Sequence, residues 1–376
     1  MIELSWPQVS ARRLERAGLG AGPALPGPVD AVAAMCGAHA QVMPAAEASV
    51  GLRLAGATRA HVRDALRPGG QLVKTYGPRG TVHLLPARDL PMWVSALSSM
   101  PGERNPHAPH IRMTPEQTER VVAAIGAAVG DGELTIDELS ERVVAAAGPW
   151  AGDLVVPAFG GQWPRWRQAM SLAAHRGAFV FGPDRGRKVT YTRPPAGTGA
   201  VADGAAELAR RYLTGYGPAT PAQFARWAGG PVRWAARAFE AAGVEEVRFE
   251  GRPAWVVAGD TAMPGEPPRG VRLLPYFDAY VVAGQPRELL YPGAAAGRAL
   301  NRGQAGNFPV LLVDGVVAGV WHQRRSGDRL DVTVEPLRDL GPARERELEE
   351  QVERLGKVLE ARPRLTVGVV TVGAHA

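Results

Sequence analysis

Three times along the chain, segments with apolar residues at helical spacing give way to segments that alternate with period two. In the first copy Ser5 is placed to cap a helix carrying Trp6, Val9, Leu14 and Ala17, and the run GLGAGPALPGP ends it. VDAVAAMC predicts a second helix up to Gly37, PAAEASVGLRLAG a third with proline in its first turn, and TRAHVRDALRPGG a fourth. QLVKTYGPRGTVHLLP then reads as a hairpin turning at Gly77-Pro78-Arg79-Gly80. The second copy predicts helices over TPEQTERVVAAIGAAV, LTIDELSERVVAAAG and QWPRWRQAMSLAAHRG, followed by the hairpin AFVFGPDRGRKVTYTR. The third runs through ADGAAELARRYLTGYG, TPAQFARWAGG and PVRWAARAFEAAG into VEEVRFEGRPAWVVAG, turning at Glu250-Gly251. Helices followed by a β-ribbon are the winged-helix pattern, and its recurrence with little identity between copies is an architectural repeat.

From about Val271 the texture changes to short strands in VRLLPYFDAYVVA, FPVLLVDGVVAGVWHQRRSGDRLDVTVEP and LTVGVVTVG. Asp314-Gly315 and Ser326-Gly327 fall where two-residue hairpin turns need positive φ, which predicts a meander or small barrel. One helix, PARERELEEQVERLGKVLEARP, interrupts it with alternating charges on its solvated face. The expected fold is α+β: three tandem winged-helix motifs over residues 1–100, 101–198 and 199–265, then a β-barrel-like domain over 266–376.

Composition sharpens this picture in three respects. A chain of 376 residues, 45% hydrophobic and 21% charged, has the make-up of a soluble protein with more than one core. Lys plus Arg outnumber Asp plus Glu by 43 to 37, a net charge of +6 that permits an anionic partner without requiring one. The single cysteine, Cys36, excludes internal disulfides and a cysteine-based zinc site, and fits a reducing compartment. The amphipathic start lacks the apolar core of a signal peptide, and no stretch is long enough to span a bilayer, so a cytoplasmic protein is expected.

The segment CGAHAQVMPAAEA holds a polar pair, His39 and Gln41, between two predicted helices. On a continuous helix, residues two apart point roughly 200° away from each other and could not serve one site. Gly37 is placed as a C-cap, and Pro44 biases Met43 out of the α region, so Ala38 to Met43 should form an extended link. In extended chain, residues two apart share a face, so His39 and Gln41 should project together while Ala40 and Val42 turn toward packing. From spacing alone, a solvated or helix-capping role for the pair is the commoner outcome.

LSWPQVSARRL, CGAHAQVMPAAEASVGLR, LVKTYGPRGTVHLLPARDLPMW, YLTGYGPATPAQFARWAG, LLPYFDAYVVA and FPVLLVDGVVAGVW together carry a resemblance, nearly end to end, to the winged-helix DNA glycosylases of the AlkZ and YcaQ type. The resemblance implies three winged-helix motifs around a β-barrel in a C-shaped body that embraces double-stranded DNA. It also implies hydrolysis of the N-glycosidic bond of alkylated or crosslinked purines, in some members as self-resistance to a DNA-alkylating antibiotic. The family motif is Gln, an apolar residue, then Gln or Asp; Gln41 therefore matches its second position, and His39 departs from the usual first Gln. That departure implies a subgroup with a different lesion preference.

The chemistry tolerates so unreactive a pair. Alkylation at N7 makes guanine a cationic leaving group, so no strong acid is needed. Positioning water and stabilising an oxocarbenium-like sugar remain, and the Gln41 carbonyl can orient the water while a neutral His39 accepts a second hydrogen bond. A protonated His39 would repel the cationic transition state.

The resemblance also implies that a hairpin tracks the minor groove; HQRRSGDRL is the candidate, a two-residue turn presenting His322, Gln323, Arg324 and Arg325. Arg185, Arg187 and Lys188 on the second hairpin read as phosphate contacts, or as a merely soluble tip. Lys74 and Arg79 on the first hairpin lie in a family-matching stretch and are expected beside the DNA. His107 and His110 have a spacing that could signal metal, but Pro106 and Pro109 favour an extended loop and no carboxylate or cysteine is near, so a DNA-facing loop is expected and no metal. Trp163 and Trp166 read as core residues of one amphipathic helix.

The chain is thus expected to be a monomeric, cofactor-free, monofunctional glycosylase, with no lyase activity because no Schiff-base lysine stands out. The alternative is a non-catalytic winged-helix regulator or lesion sensor, which would need a dimer and one dominant recognition helix. A protein-binding scaffold is a third possibility and leaves the His-Ala-Gln link unexplained.

Overall fold

The structure, a computed structural model, describes residues 2–101, 107–130, 132–158, 160–199 and 201–375. Helices open where the sequence supplies caps. Ser5 precedes the helix Trp6–Arg16, with Gln8 Oε1 accepting from the Ser5 N–H at 3.0 Å. Thr-Pro-x-Gln starts Pro115–Ala128 and Pro221–Ala228 alike: Thr114 and Thr220 accept from the backbone N–H of Gln117 and Gln223, whose side chains reach back.

The first unit contains helices Trp6–Arg16, Pro28–Ala34, Met43–Gly51, Arg59–Ala65 and Leu90–Ser98 around the hairpin Leu72–Tyr76/Val82–Pro86. The second contains Pro115–Ala128, Ile136–Ala147 and Met170–His175 before the hairpin Val180–Arg185/Lys188–Thr192. The third contains Gly204–Tyr216, Pro221–Ala228 and Val232–Ala242 before Val244–Phe249/Arg252–Val257. All three hairpins fall where alternation predicts them.

Two predicted elements differ. QWPRWRQAMSLAAHRG is not one helix: Gly161–Pro164 pairs with Leu154–Ala158 as an extra hairpin, a 3-10 turn spans Arg165–Ala169, and only Met170–His175 is α-helical. Pro164 lacks the N–H a helix interior would use, which separates the strand from the turn. Trp166 is fully buried, as expected, whereas Trp163 is 40% exposed on its strand, with the Arg167 guanidinium 3.9 Å from its ring centroid. In VRLLPYFDAYVVA only Val271–Leu274 is a strand; Asp278 then caps the short helix Ala279–Ala283, accepting from the Tyr280 N–H at 3.0 Å.

The C-terminal strands form a curled, half-barrel five-stranded sheet, in keeping with the barrel-like domain expected, although its two edge strands do not pair to close it. Val271–Leu274, Val310–Val313, Val316–Ser326 and Arg329–Pro336 make an antiparallel meander. The helix Gly341–Leu359 crosses back to place Arg362–Val367 parallel to the last of these. Asp314 and Gly315 both have positive φ, as the turn requires. At the other hairpin the turn residues are Gly327-Asp328, one position later than expected, because Ser326 pairs with Arg329 and the glycine takes φ +60° as the first turn residue.

Packing runs across the sequence boundaries. One core joins the first and third units, from Val32, Leu84 and Trp93 to Tyr212, Phe224 and Phe239. The first and second hairpins share a six-stranded sheet through Lys74 and Phe181. Ala48 and Leu52 enter the C-terminal core, where a fully buried ion pair, Arg53 to Asp278 at 2.8 Å, locks the first unit to the chain just after Phe277. Ser49 Oγ donates to the same carboxylate at 2.8 Å, so its charge is well matched. Among the described residues no helix is long and apolar enough to cross a membrane.

Candidate active site

The helix Pro28–Ala34 ends in a left-handed turn, Cys36 at φ 51° and Gly37 at φ 93°, and the chain emerges extended. Ala38–His39 forms a two-residue strand paired with Leu84 and His83, and the Ala40 N–H continues the ladder to the Val82 carbonyl at 2.7 Å. The helical break before His39 and the burial of Ala40 agree with the expected link. The link is shorter than expected, since Met43 already belongs to the helix Met43–Gly51, with Pro44 in its first turn where a missing N–H costs nothing. Cys36 is buried, and burial pushes its thiol up to about 12.

His39 is half-buried, stacked on Phe277 at 4.6 Å and touched edge-on by His83 at 5.0 Å. Burial, then the charge of Arg79, push the imidazole down to about 4, so it is neutral at physiological pH. Its Nδ1 is buried without a hydrogen-bond partner. His83 is also held well below the ordinary imidazole value by burial, and its Nδ1 lies 2.9 Å from the Thr81 carbonyl, to which it donates as a neutral ring. Gln41 is exposed, and its Oε1 takes only a long 3.5 Å contact from the Val82 N–H, leaving acceptor capacity for water.

His39 lines a cavity of about 420 Å³ in which the link meets four other chain segments. The turn of the first hairpin supplies Arg79 and Thr81, the helix Pro221–Ala228 supplies Gln223, Arg226 and Trp227, and Phe277 through Arg287 and Gly303 through Asn307 close the rest. Gln41 is not among the lining residues. The turn is held rigidly: Arg79 Nη1 donates to the Trp227 carbonyl, His175 Nε2 to the Gly77 carbonyl at 3.0 Å. Arg79 itself has φ 60°, and a Cβ on Gly229 would lie 2.8 Å from its Cα, so the close approach of the third unit demands glycine there. Burial of the guanidinium, then Arg287, push Arg79 down to about 10, although the residue as a whole keeps exposed surface. Phe277, at φ 56°, is fixed by its N–H to the Gly306 carbonyl at 2.9 Å and by Asp278 behind it.

The other expected contacts are dispersed. Arg185 pairs with Glu138 at 2.8 Å and Lys188 with Asp137 at 2.8 Å, both on the helix behind the hairpin, while Arg187 is exposed at the tip. Lys74 lies 5.1 Å from the Phe181 ring centroid, its ammonium lowered by burial, on the wall of a separate groove of about 930 Å³ between the first and second units. His322, Gln323, Arg324 and Arg325 are strand residues rather than turn residues. Arg325 caps the helix Gly341–Leu359, donating to the Leu359 carbonyl at 2.7 Å and the Glu360 carbonyl at 3.2 Å. His322 and Gln323 are half-buried, with His322 Nδ1 and Gln323 Oε1 buried and unpartnered; Arg324 is exposed opposite Asp331.

In the loop around His107 and His110, residues 102–106 lie outside the described residues. The His107 carbonyl accepts from Arg112 and the His110 carbonyl from Arg165 at 3.0 Å. Among the described residues no three His, Cys, Asp or Glu side chains gather as metal ligands. Sequence reasoning missed Phe277, Arg226 and Arg287; the only signal for Phe277 is its place in the motif LLPYFDAYVVA.

A two-residue strand thus sets a neutral imidazole beside a cationic cleft on a mixed α+β body. The chain belongs to the AlkZ-like DNA glycosylase family, whose model matches residues 32–358. It is similar to an interstrand DNA cross-link repair glycosylase from Streptomyces sahachiroi, 30% identical over 339 residues, which are 85% of this chain and 88% of that protein. The solved structure of the Streptomyces sahachiroi DNA glycosylase AlkZ matches with a TM-score of 0.78 and 27% identity, over 98% of this chain and 100% of that one.

Proposed function

We propose that this protein is a monomeric, monofunctional DNA glycosylase that hydrolyses the N-glycosidic bond of cationic, bulky N7-alkylguanine adducts in duplex DNA, and so protects a cell against a DNA-alkylating natural product. The observation that carries the reading is the extended link, on which Gln41 is exposed to solvent and His39 is neutral at a cleft wall. Family membership and the likeness, in sequence and in structure, to Streptomyces sahachiroi DNA-repair glycosylase support it.

The leaving group is already cationic, so the residues need only hold water and tolerate positive charge on the sugar. Gln41 Oε1 has a lone pair free to accept from water, whereas the unpartnered His39 Nδ1 is buried and would accept a second hydrogen bond only if the ring shifts to meet the substrate. Phe277 and His83 hold the His39 ring in place, and the low pKa removes the positive charge that would oppose an oxocarbenium-like transition state. The three helix–hairpin units serve in this reading as winged helices on the duplex. Lys74, Arg79, Arg185, Arg187, Lys188, the His107–His110 loop and the strand end His322–Arg325 are its candidate DNA contacts.

The test is incubation with duplexes carrying N7-alkylguanines of graded size, scoring alkali-labile abasic sites. Wild type should release the base and Gln41→Ala should do so far more slowly. Equal release by both removes Gln41 from the mechanism, and release of none of the adducts favours a binding-only protein.

A further inference from the structure

We propose that the cavity beside His39 is a phosphodiester site, in which Arg226, Arg287 and Arg79 grip one backbone phosphate of the lesion-bearing strand. The inference rests on the reading that this chain acts on DNA, and names what the cleft takes from it.

Three guanidiniums converge on one cavity of about 420 Å³, and no Asp or Glu lines it. Among the described residues none of the three forms an ion pair. Arg79 donates to the Trp227 carbonyl, and Arg287 donates to the carbonyls of Val281 and Val282. Backbone carbonyls orient the planar groups but supply no counter-charge; burial first, and then the neighbouring guanidiniums, Arg287 for Arg79 and Arg226 for Arg287, disfavour the charged forms. Clustered like charges in a protein cleft are costly unless an anion joins them. Gln304 and Gln223 add neutral amides to the lining, and Asn307, whose Nδ2 donates to the His375 carbonyl at 2.8 Å, lines it as well.

The occupant follows from the charge. A cationic alkylpurine would be repelled by the arginines, and an apolar adduct would strip water from them with no return. A phosphodiester offers several acceptor oxygens to forked donors and is the anion a DNA strand carries beside every sugar. Seated there, it would neutralise Arg79, which otherwise places positive charge next to His39 and the reacting sugar.

The experiment measures binding rather than turnover. Wild type and Arg226→Gln are titrated onto a duplex containing one tetrahydrofuran abasic analogue, with single neutral methylphosphonates moved through the flanking positions. Arg226 is exposed and makes no bond that the fold depends on, so the variant should keep the wild-type Tm. One methylphosphonate position should weaken wild type about ten-fold and the variant distinctly less, because the Arg226 charge-assisted contact is already lost while Arg79 and Arg287 remain. On the unmodified duplex the variant's salt slope should fall by about one.

A scan in which every position affects both proteins alike, with duplex binding and base release intact, overturns the phosphate site and leaves the glycosylase reading standing. The same holds if free inorganic phosphate raises the Tm of wild type but no methylphosphonate position distinguishes the proteins, which would mark a small-anion site unrelated to DNA. No binding of wild type to any duplex overturns both.

Discussion

The cleft around His39 and the tip of the second hairpin both gather cations, yet they treat them differently. At the tip, two of the three basic side chains are matched to carboxylates on the helix behind: Arg185 to Glu138 and Lys188 to Asp137. Glu138 is pushed down to about 2 by the Thr135 N–H it accepts and then by Arg185, so the pair stays ionised at any working pH. In the cleft, among the described residues, Arg79 and Arg287 are tied to backbone carbonyls, with Arg287 also 6.0 Å from the Tyr291 ring centroid and neither paired to a carboxylate, and Arg226 lines the cavity beside them. The lesson is that counting arginines along a chain says little about available charge; what matters is whether the fold supplies a counter-ion.

The largest expected effect on this contrast is at the link. Gln41→Ala should lower the rate of base release about 10²–10³-fold, the cost of removing one positioning group, while the unfolding free energy changes by less than about 0.5 kcal/mol because the side chain is exposed. A parallel single-turnover assay and thermal melt would check both halves. Next in size is Arg53→Ala, which strands the Asp278 carboxylate in the core and should cost about 3–5 kcal/mol, read by denaturant unfolding. Because Asp278 follows Phe277, base release should fall with it. An Arg53→Met, Asp278→Leu double variant that regains stability without regaining activity would separate the ion pair's packing role from its positioning of Phe277.

Acid should act through the imidazoles. His39, His83, His175 and His322 are all held below the ordinary value of 6.5 by burial, His39 at about 4. Between about pH 4 and 6.5 the unfolded chain therefore binds protons that the native chain does not. Stability rises with pH across that window, so Tm should drop from pH 7 to pH 5, and drop less in His39→Gln. Base release should show no His39 titration between pH 6 and 8; a rise in rate on acidification through that range would contradict a neutral His39. The smallest effect is expected at the hairpin tip. Arg187→Ala should reduce the DNA-binding salt slope by about one, and Arg185→Ala by less, because its neighbour Glu138 is left unneutralised in both free and bound protein.

Much of the fold was legible from patterning because the cues are local. Capping threonines, glycine turns and period-two runs mark the three hairpins and most helices, and the break at Gly37 before the extended His39 follows from one residue's tolerance of positive φ. Where local cues conflict, the reading failed: Gln162 to Pro164 became a strand because Leu154–Ala158 pairs with it, a non-local gain that periodicity cannot register. HQRRSGDRL was legible as a hairpin but not as to its purpose, since Arg325 turns to the end of a helix some thirty residues later in the chain.

The sequence by itself determined the repeat of helices and hairpins, the extended polar link, and the near absence of cysteine chemistry, all consequences of backbone preference and composition. Only the tertiary structure decided that His39 is neutral, that Phe277 is its stacking partner, and that three arginines from distant segments share a cavity without a carboxylate. Burial and electrostatic neighbourhood are sums over atoms brought together by packing, and residues 39, 79, 226, 277 and 287 become neighbours only when four segments of the folded chain converge.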